Sequence, residues 1–282
     1  MITILGTGLL GAGFARALRR KGEEVRVWNR TPEKAAALVA DGAIAVADPA
    51  EAVRGADRVH VVLSDDAAID AVLEAAAAGL AGLVIDHSTT STAGALARTS
   101  RWRERGITYL HAPVFMGPGN ALESTGLMLL SGDREVVARV TPLLAPMTGK
   151  LVDLGPRVDA AAAFKLIGNL LLMALAAGFT DMLALGKAMA VSPAQVATLF
   201  EHFNPGAALP ARFKRMTDAD YDHPSWELGM ARKDARLMQQ EADLAGIVLT
   251  MLPAFAARMD EAIAAGHAHA DWNIVAKEFV SG

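Results

Sequence analysis

Cysteine is absent from all 282 residues. That excludes disulfides, thiolate metal sites and cysteine nucleophiles, and it fits a reducing, cytoplasmic setting. A basic excess is also lacking: 27 Lys and Arg stand against 31 Asp and Glu, a formal net charge of −4. A groove for nucleic acid usually shows as basic excess, so the expected partner is a small molecule. No apolar run is long. The most apolar stretch, Leu170 to Phe179, is bracketed by Asn169 and Asp181, well short of the roughly 18 residues that a membrane span needs. It is expected as a buried helix, with no membrane partner. The opening residues Met-Ile-Thr-Ile-Leu-Gly show no basic leader or small-residue cleavage site, so no secretory signal is expected. What is present is apolar: 52% of residues are hydrophobic, ample for one large or two medium domains.

Periodicity divides the chain. Ile2–Leu5, Val25–Trp28, Val59–Leu63, Leu83–Asp86 and Ile107–Leu110 read as strands, with Leu127–Leu130 and Lys150–Asp153 as weaker candidates. Phe14–Lys21, Pro32–Ala40, Ala67–Ala78 and Thr92–Arg105 read as helices between them. Apolar strands alternating with helices predict an α/β, Rossmann-type, doubly wound parallel sheet over residues 1–157. After Gly155-Pro156 the strand signal fades. A proline-free stretch from Asp159 to Val191 reads as one helix, roughly 45 Å long at 1.5 Å per residue, with Asp159 as a candidate cap. Helical patterns at Pro193–Phe203, Glu227–Ala245 and Leu252–Ala265 follow, and Asn204–Trp226 reads as loop-rich. Residues 158–282 are therefore expected to form an all-α domain.

Gly6, Gly8 and Gly11 form G-x-G-x-x-G directly after an apolar strand and at the opening of a helix. Such a loop, here with Thr7, Leu9 and Leu10 between its glycines, brings a pyrophosphate onto free backbone N–H groups at a helix start. The second strand ends before Asn29-Arg30-Thr31. An NAD-selective site would place an acid here for the ribose hydroxyl. A neutral Asn29 followed by a cation and a hydroxyl instead suits a 2′-phosphate, so the expected cofactor is NADP(H).

These motifs resemble the β-hydroxyacid dehydrogenases, the group that includes 3-hydroxyisobutyrate dehydrogenase and the glyoxylate/succinic semialdehyde reductases. The resemblance covers nearly the whole chain. It rests on Gly6–Gly11, Asn29-Arg30-Thr31, Leu63-Ser64-Asp65, Asp86-His87-Ser88-Thr89, Ala112-Pro113-Val114, Lys165-Leu-Ile-Gly-Asn169 and Lys233-Asp234, in that order. It implies that Lys165 is the catalytic acid/base with Asn169 beside it, and that Leu63, Ser64, Asp65, Thr89 and Lys233 contact the cofactor. Positions 165 and 169 share a helical face; from pattern alone, a lysine snorkelling from a buried helix fits equally well. Asp181 falls where the family carries an acid, but off the Lys165 face, so it is expected to be structural or to contact another helix.

One motif departs. The family usually reads Asp-Ala-Pro-Val-Ser-Gly-Gly, whose serine and glycines hold the substrate carboxylate; this chain reads His111-Ala-Pro-Val-Phe-Met-Gly-Pro-Gly-Asn120. Phe115, Met116, Gly117 and Asn120 are then the expected substrate contacts, with Gly119, Ser124 and Thr125 as further possible donors, and the pocket should be more apolar or larger. Asn273 similarly stands where the family has serine. Imine reductases share the architecture but generally carry another residue in place of Lys165, so imine reduction is an alternative, as is a non-catalytic dinucleotide-binding scaffold. His267 and His269 flank Ala268 after a glycine and read as solvated; no metal is expected. The alanine-rich helical half suggests a homodimer or higher oligomer.

Overall fold

The structure is a computed structural model and describes residues 1–280. It contains two compact units, Met1–Leu170 and the chain from Leu171 onward, so the division falls inside a helix that begins near the expected boundary at 157.

In the first unit the elements run β1 (Ile2–Leu5), α1 (Leu9–Arg20), β2 (Val25–Trp28), α2 (Pro32–Ala36), β3 (Ile44–Ala45), α3 (Pro49–Val53), β4 (Arg58–Val61), α4 (Asp66–Ala76), β5 (Leu83–Asp86), α5 (Thr92–Glu104) and β6 (Thr108–His111). Next come β7 (Val114–Phe115), α6 (Pro118–Glu123), β8 (Leu127–Leu130), α7 (Arg134–Leu144), β9 (Lys150–Asp153) and α8 (Ala160–Ala188). Six parallel strands form one sheet in the order β3-β2-β1-β4-β5-β6. Strand order reverses between β1 and β4, which places a crevice at their carboxyl ends. A second sheet, β7-β8-β9, pairs antiparallel and then parallel.

Both faces of the large sheet are buried. Ile2 and Ile4 pack with Phe14, Leu18, Val25, Val27 and Ile85 on one side. Leu5, Val59 and Val61 pack with Ile69, Leu73 and Trp102 on the other. The alternation of residues along β1 thus serves two cores, which is why its strand is apolar but for Thr3, whose buried hydroxyl donates to the Ala52 carbonyl at 2.6 Å. Local chemistry sets the helix starts: Ser91 Oγ accepts from Gly94 N at α5, and Asp65 Oδ1 accepts from Ala68 N at α4.

The second unit adds α9 (Pro193–His202), α10 (Leu209–Asp218), α11 (Leu228–Leu244), α12 (Leu252–Ala264) and α13 (Lys277–Val280). Its core gathers Leu228, Ala231, Met259 and Ile274, with Trp272 against Trp226 and Phe255. Asp181 is structural, as expected. Its carboxylate accepts from the N–H groups of Thr250, Met251 and Leu252 at 2.6–2.8 Å. Burial opposes its ionised form, yet those three donors outweigh burial and hold the carboxyl below its ordinary range.

Several expectations are corrected. Helix α1 starts at Leu9, not Phe14, because its first turn is an exposed approach to the glycine loop rather than part of the apolar stripe. The helix expected over Pro32–Ala40 breaks at Ala36, and a 3-10 turn follows at Val39–Asp41. The loop expected over Asn204–Trp226 contains α10, since Pro210 sits in the first turn, where no N–H is needed. Asp159 does not act as a free cap: Arg157 donates two hydrogen bonds to its carboxylate. The largest correction concerns α8. Expected as buried, it is mostly exposed, with Leu170 and Met173 both 68% accessible. Its apolar residues surround the helix rather than keeping to one face.

Candidate active site

The glycine loop is shaped by lack of room. Gly6 has φ +100°, and a Cβ there would lie 2.1 Å from the Val62 carbonyl oxygen. A Cβ on Gly11 would lie 2.0 Å from the Gly6 oxygen. Gly8 is different: its added Cβ would meet nothing within 4 Å. Gly6 and Gly11 are therefore glycine for the protein's own packing, and Gly8 keeps backbone open toward the crevice. Asn29 ties the loop to the end of β2, accepting from Thr7 N at 3.0 Å and donating to the Thr31 carbonyl at 3.0 Å.

Around this loop lies a cavity of about 580 Å³, wholly within the first unit. Gly8, Leu9, Leu10, Asn29, Arg30, Thr31, Leu63, Ser64, Thr89, Met116 and Lys165, all expected from sequence, line it together. Sequence reasoning missed Lys34, His87 and Ser88. Lys34 was legible in principle, lying four residues after Arg30 in the next helical turn. Neither Arg30 nor Lys34 makes an ion pair among the described residues. Thr7 Oγ1 is buried and has no partner. An open backbone, an unpartnered hydroxyl and two free cations together fit a dinucleotide.

Other expected residues stand elsewhere. Asp65 caps α4 and also accepts from Ser64 Oγ at 2.8 Å, so it is engaged within the protein and does not line the cavity. Gly117 and Asn120 are exposed and bonded to each other. Lys233, on α11 of the second unit, pairs with Asp234 at 2.6 Å. Asn273 is buried and donates to Asp271, which also accepts from Ser225. His269 meets only Glu227 at 3.2 Å, and no metal-binding group of three such residues occurs among the described residues.

Lys165 is 9% exposed on α8. Its Nζ donates to Asn169 Oδ1 at 2.9 Å and lies 4.1 Å from the centroid of the Phe115 ring. Burial pushes its pKa below the ordinary lysine value. Lys165 is also one of the residues that line the cavity. His87, on the same wall, ends a chain of neutral rings. Arg58 Nε donates to His60 Nε2, His60 Nδ1 bonds His87 Nε2 at 2.8 Å, and His87 Nδ1 bonds the Ala112 carbonyl at 2.8 Å. Since a carbonyl only accepts, each tautomer in the chain is determined. Burial lowers the pKa of His87 to about 4, so it stays uncharged at neutral pH. His111, equally buried, bonds the Ser88 carbonyl and does not line this cavity.

Residues 1–155 match the family described as the NAD binding domain of 6-phosphogluconate dehydrogenase. The L-threonate dehydrogenase of Cupriavidus necator is 31% identical over 206 residues, covering 71% of this chain and 69% of that one. The chain belongs to the β-hydroxyacid dehydrogenase family. The 3-sulfolactaldehyde reductase of Escherichia coli is 26% identical across 98% of this chain and 95% of its own. In fold, this family member superposes on an imine reductase from Myxococcus stipitatus with a TM-score of 0.92 at 20% identity, over 98% and 99% of the two chains. It is an oxidoreductase with an NAD(P)-binding domain.

The contrast among the glycines gives a direct test. Gly8→Ala should melt with the wild type, because its Cβ meets no protein atom, yet should bind dinucleotide about tenfold or more weakly, roughly 1.4 kcal/mol. Gly11→Ala should lose folding stability instead. Thermal melts beside fluorescence titrations with NADPH separate the two; unchanged affinity in Gly8→Ala would remove the loop from the binding site.

Proposed function

We propose that the chain is an NADP(H)-dependent oxidoreductase that interconverts a hydroxyacid-type alcohol and its aldehyde or keto form, with Lys165 as acid/base. One observation carries this reading: a nearly buried ammonium, with no carboxylate partner among the described residues, stands in the wall of the dinucleotide cavity. When bound, the dinucleotide supplies or accepts hydride at its nicotinamide. The protein's residues do the rest. The loop from Gly6 to Gly11 and the start of α1 receive the pyrophosphate, and Arg30, Thr31 and Lys34 receive the 2′-phosphate. Lys233 is a proposed further contact from the second unit. In reduction the Lys165 ammonium gives a proton to the carbonyl oxygen; in oxidation the neutral amine takes it from the hydroxyl. Asn169 holds one of the three N–H groups and so orients the others. The lowered pKa brings the amine form within reach at milder pH.

A second copy of the chain is proposed to cover α8. The helix is long and apolar enough to cross a membrane by length and composition. However, it also carries Lys165 with Asn169 and the carboxylate of Asp181, groups that need polar protein partners. Phe164, Ile167, Leu170, Leu171 and Met173 are all more than half exposed, a surface suited to a homodimer.

Three outcomes are expected. Wild type should prefer NADPH over NADH in kcat/KM, and Arg30→Ala should cut that ratio about tenfold, the worth of one charge-assisted contact; an NADH preference would overturn the assignment. Lys165→Met should keep NADPH affinity while turnover falls roughly 10²–10⁴-fold, and the decline in wild-type carbonyl reduction at high pH should vanish. Turnover of cyclic imines alone would replace this reading with imine reduction, and binding without any turnover would favour a scaffold. By sedimentation, wild type should have the mass of at least two chains and the double variant Leu170→Glu/Met173→Glu that of one; a monomeric wild type would refute the oligomer.

A further inference from the structure

The segment at which this chain departs from its family lies against Lys165. Phe115 ends β7, and its ring faces the Lys165 ammonium at 4.1 Å. The tip of the ring meets α8 at Gly168. A Cβ on Gly168 would lie 2.3 Å from Phe115 Cζ and 2.7 Å from Cε1. The aromatic ring and the missing side chain are therefore a matched pair, and the ring occupies its place only because residue 168 is glycine. One N–H of Lys165 points to Asn169 and the ring face lies over the same ammonium. A lysine has three donors, so one or two remain for a reacting oxygen.

The loop that follows Phe115 is closed upon itself. Asn120 Oδ1 accepts from Gly117 N at 3.0 Å, and Asn120 Nδ2 donates to Thr125 Oγ1 at 3.0 Å. Ser124 Oγ accepts from Lys21 Nζ at 2.7 Å on the exposed side. A Cβ on Gly126 would lie 2.9 Å from Met116 Cγ and from the Phe115 carbonyl oxygen, so the loop returns tightly against the start of its own segment. None of Gly117, Gly119, Asn120, Ser124 and Thr125, the groups that could replace the lost serine and glycines as carboxylate donors, lines the cavity. Among the cavity's lining residues the cations are Arg30, Lys34 and Lys165. The first two belong to the β2–α2 turn. A substrate carboxylate near the reacting carbon would have Lys165 itself as its cation, and pairing with it would hold the proton that the reaction must release.

We propose that the substrate is an uncharged aldehyde or ketone whose apolar substituent rests on Phe115, and that Phe115 with Gly168 is the pair that excludes a carboxylate. This rests on the reading of Lys165 as acid/base; it keeps the carbonyl–alcohol chemistry of that reading and replaces its hydroxyacid-type substrate by one without the acid. In the step itself, a hydride from the reduced dinucleotide forms the new C–H bond, the C=O π pair moves to oxygen, and oxygen takes the proton of Lys165. The product is the alcohol, and the dinucleotide is oxidised by two electrons.

Succinic semialdehyde and its methyl ester test this, since they differ chiefly in the charge. Calorimetric affinity is measured for both in the NADPH complex, alongside kcat/KM. In wild type the ester should be favoured by about tenfold or more, because near the reacting carbon the acid's carboxylate would have only Lys165, the reaction's own proton donor, to pair with among the lining residues. Phe115→Ser should shift the ratio toward the acid by at least a similar factor. Gly168→Ala, which must displace the ring, should shift it the same way, and the double variant Phe115→Ser/Gly168→Ala should melt at a higher temperature than Gly168→Ala because the clash is gone. An acid preference in wild type, an ester that does not bind, or a ratio unmoved in both single variants would overturn the proposal. Lys165→Met is run in parallel: retained turnover there would refute the acid/base role, whereas the wild-type affinity ratio still decides whether the site rejects a carboxylate.

Discussion

There is no room for a side chain between the first strand and the backbone that follows β4. That single constraint, felt at residues 6 and 11 against Val62 and the loop's own carbonyl, decides much of the molecule. It lets α1 start immediately beside the carboxyl end of β1. The free N–H groups of its first turn then face the crevice where strand order reverses. β1 lies in the middle of the sheet and is buried on both faces, so the loop is anchored to the core. Asn29 and Ser88 tie the cavity's edges: Asn29 accepts from Thr7 N, and Ser88 Oγ accepts from Leu63 N.

Behind the cavity, polar groups are buried in a way that needs complete pairing. Arg58, His60, His87 and the Ala112 carbonyl form one chain across β4, β5 and the end of β6. A buried histidine without partners would be costly, but here each tautomer is complementary to the next. Beside it, Tyr109 donates to Asp86 and accepts from Arg98, which in turn pairs with Asp66. These contacts fix the loops after β4 and β5, where Leu63, Ser64, Ser88 and Thr89 border the cavity. The polar interior is therefore part of what holds the site's shape.

Lys165 is held between opposing influences. Asn169 and the face of the Phe115 ring both lie against its ammonium. Burial favours the neutral amine, and the ring face and Asn169 favour the cation. On the proposed reading, that balance leaves a proton for the lysine to give.

Much was legible in the chain itself. Five strands of the large sheet showed as apolar runs, and the glycine spacing identified the turn, because a Cβ at two of its positions is sterically impossible in any fold of this kind. Arg30, Lys165 and Asn169 were legible because their types and spacing imply one turn and one helical face. Strands of two residues, β3 and β7, were not, since no period can show in so short a run. That Asp65 caps α4 was not read from the sequence, although its partner is a backbone donor only three residues on. The α8 helix was expected to be buried, since hydropathy records that a surface prefers cover but not which element provides it. Likewise Phe115 was visible as a departure, but its partner Gly168 was not. The sequence by itself determined the strand pattern, the tight glycine turn and the shared helical face of Lys165 and Asn169, all set by local sterics and spacing. Tertiary structure alone decided that a ring from β7 and a gap on α8 meet over that lysine, because residues 53 positions apart are brought into contact only by packing.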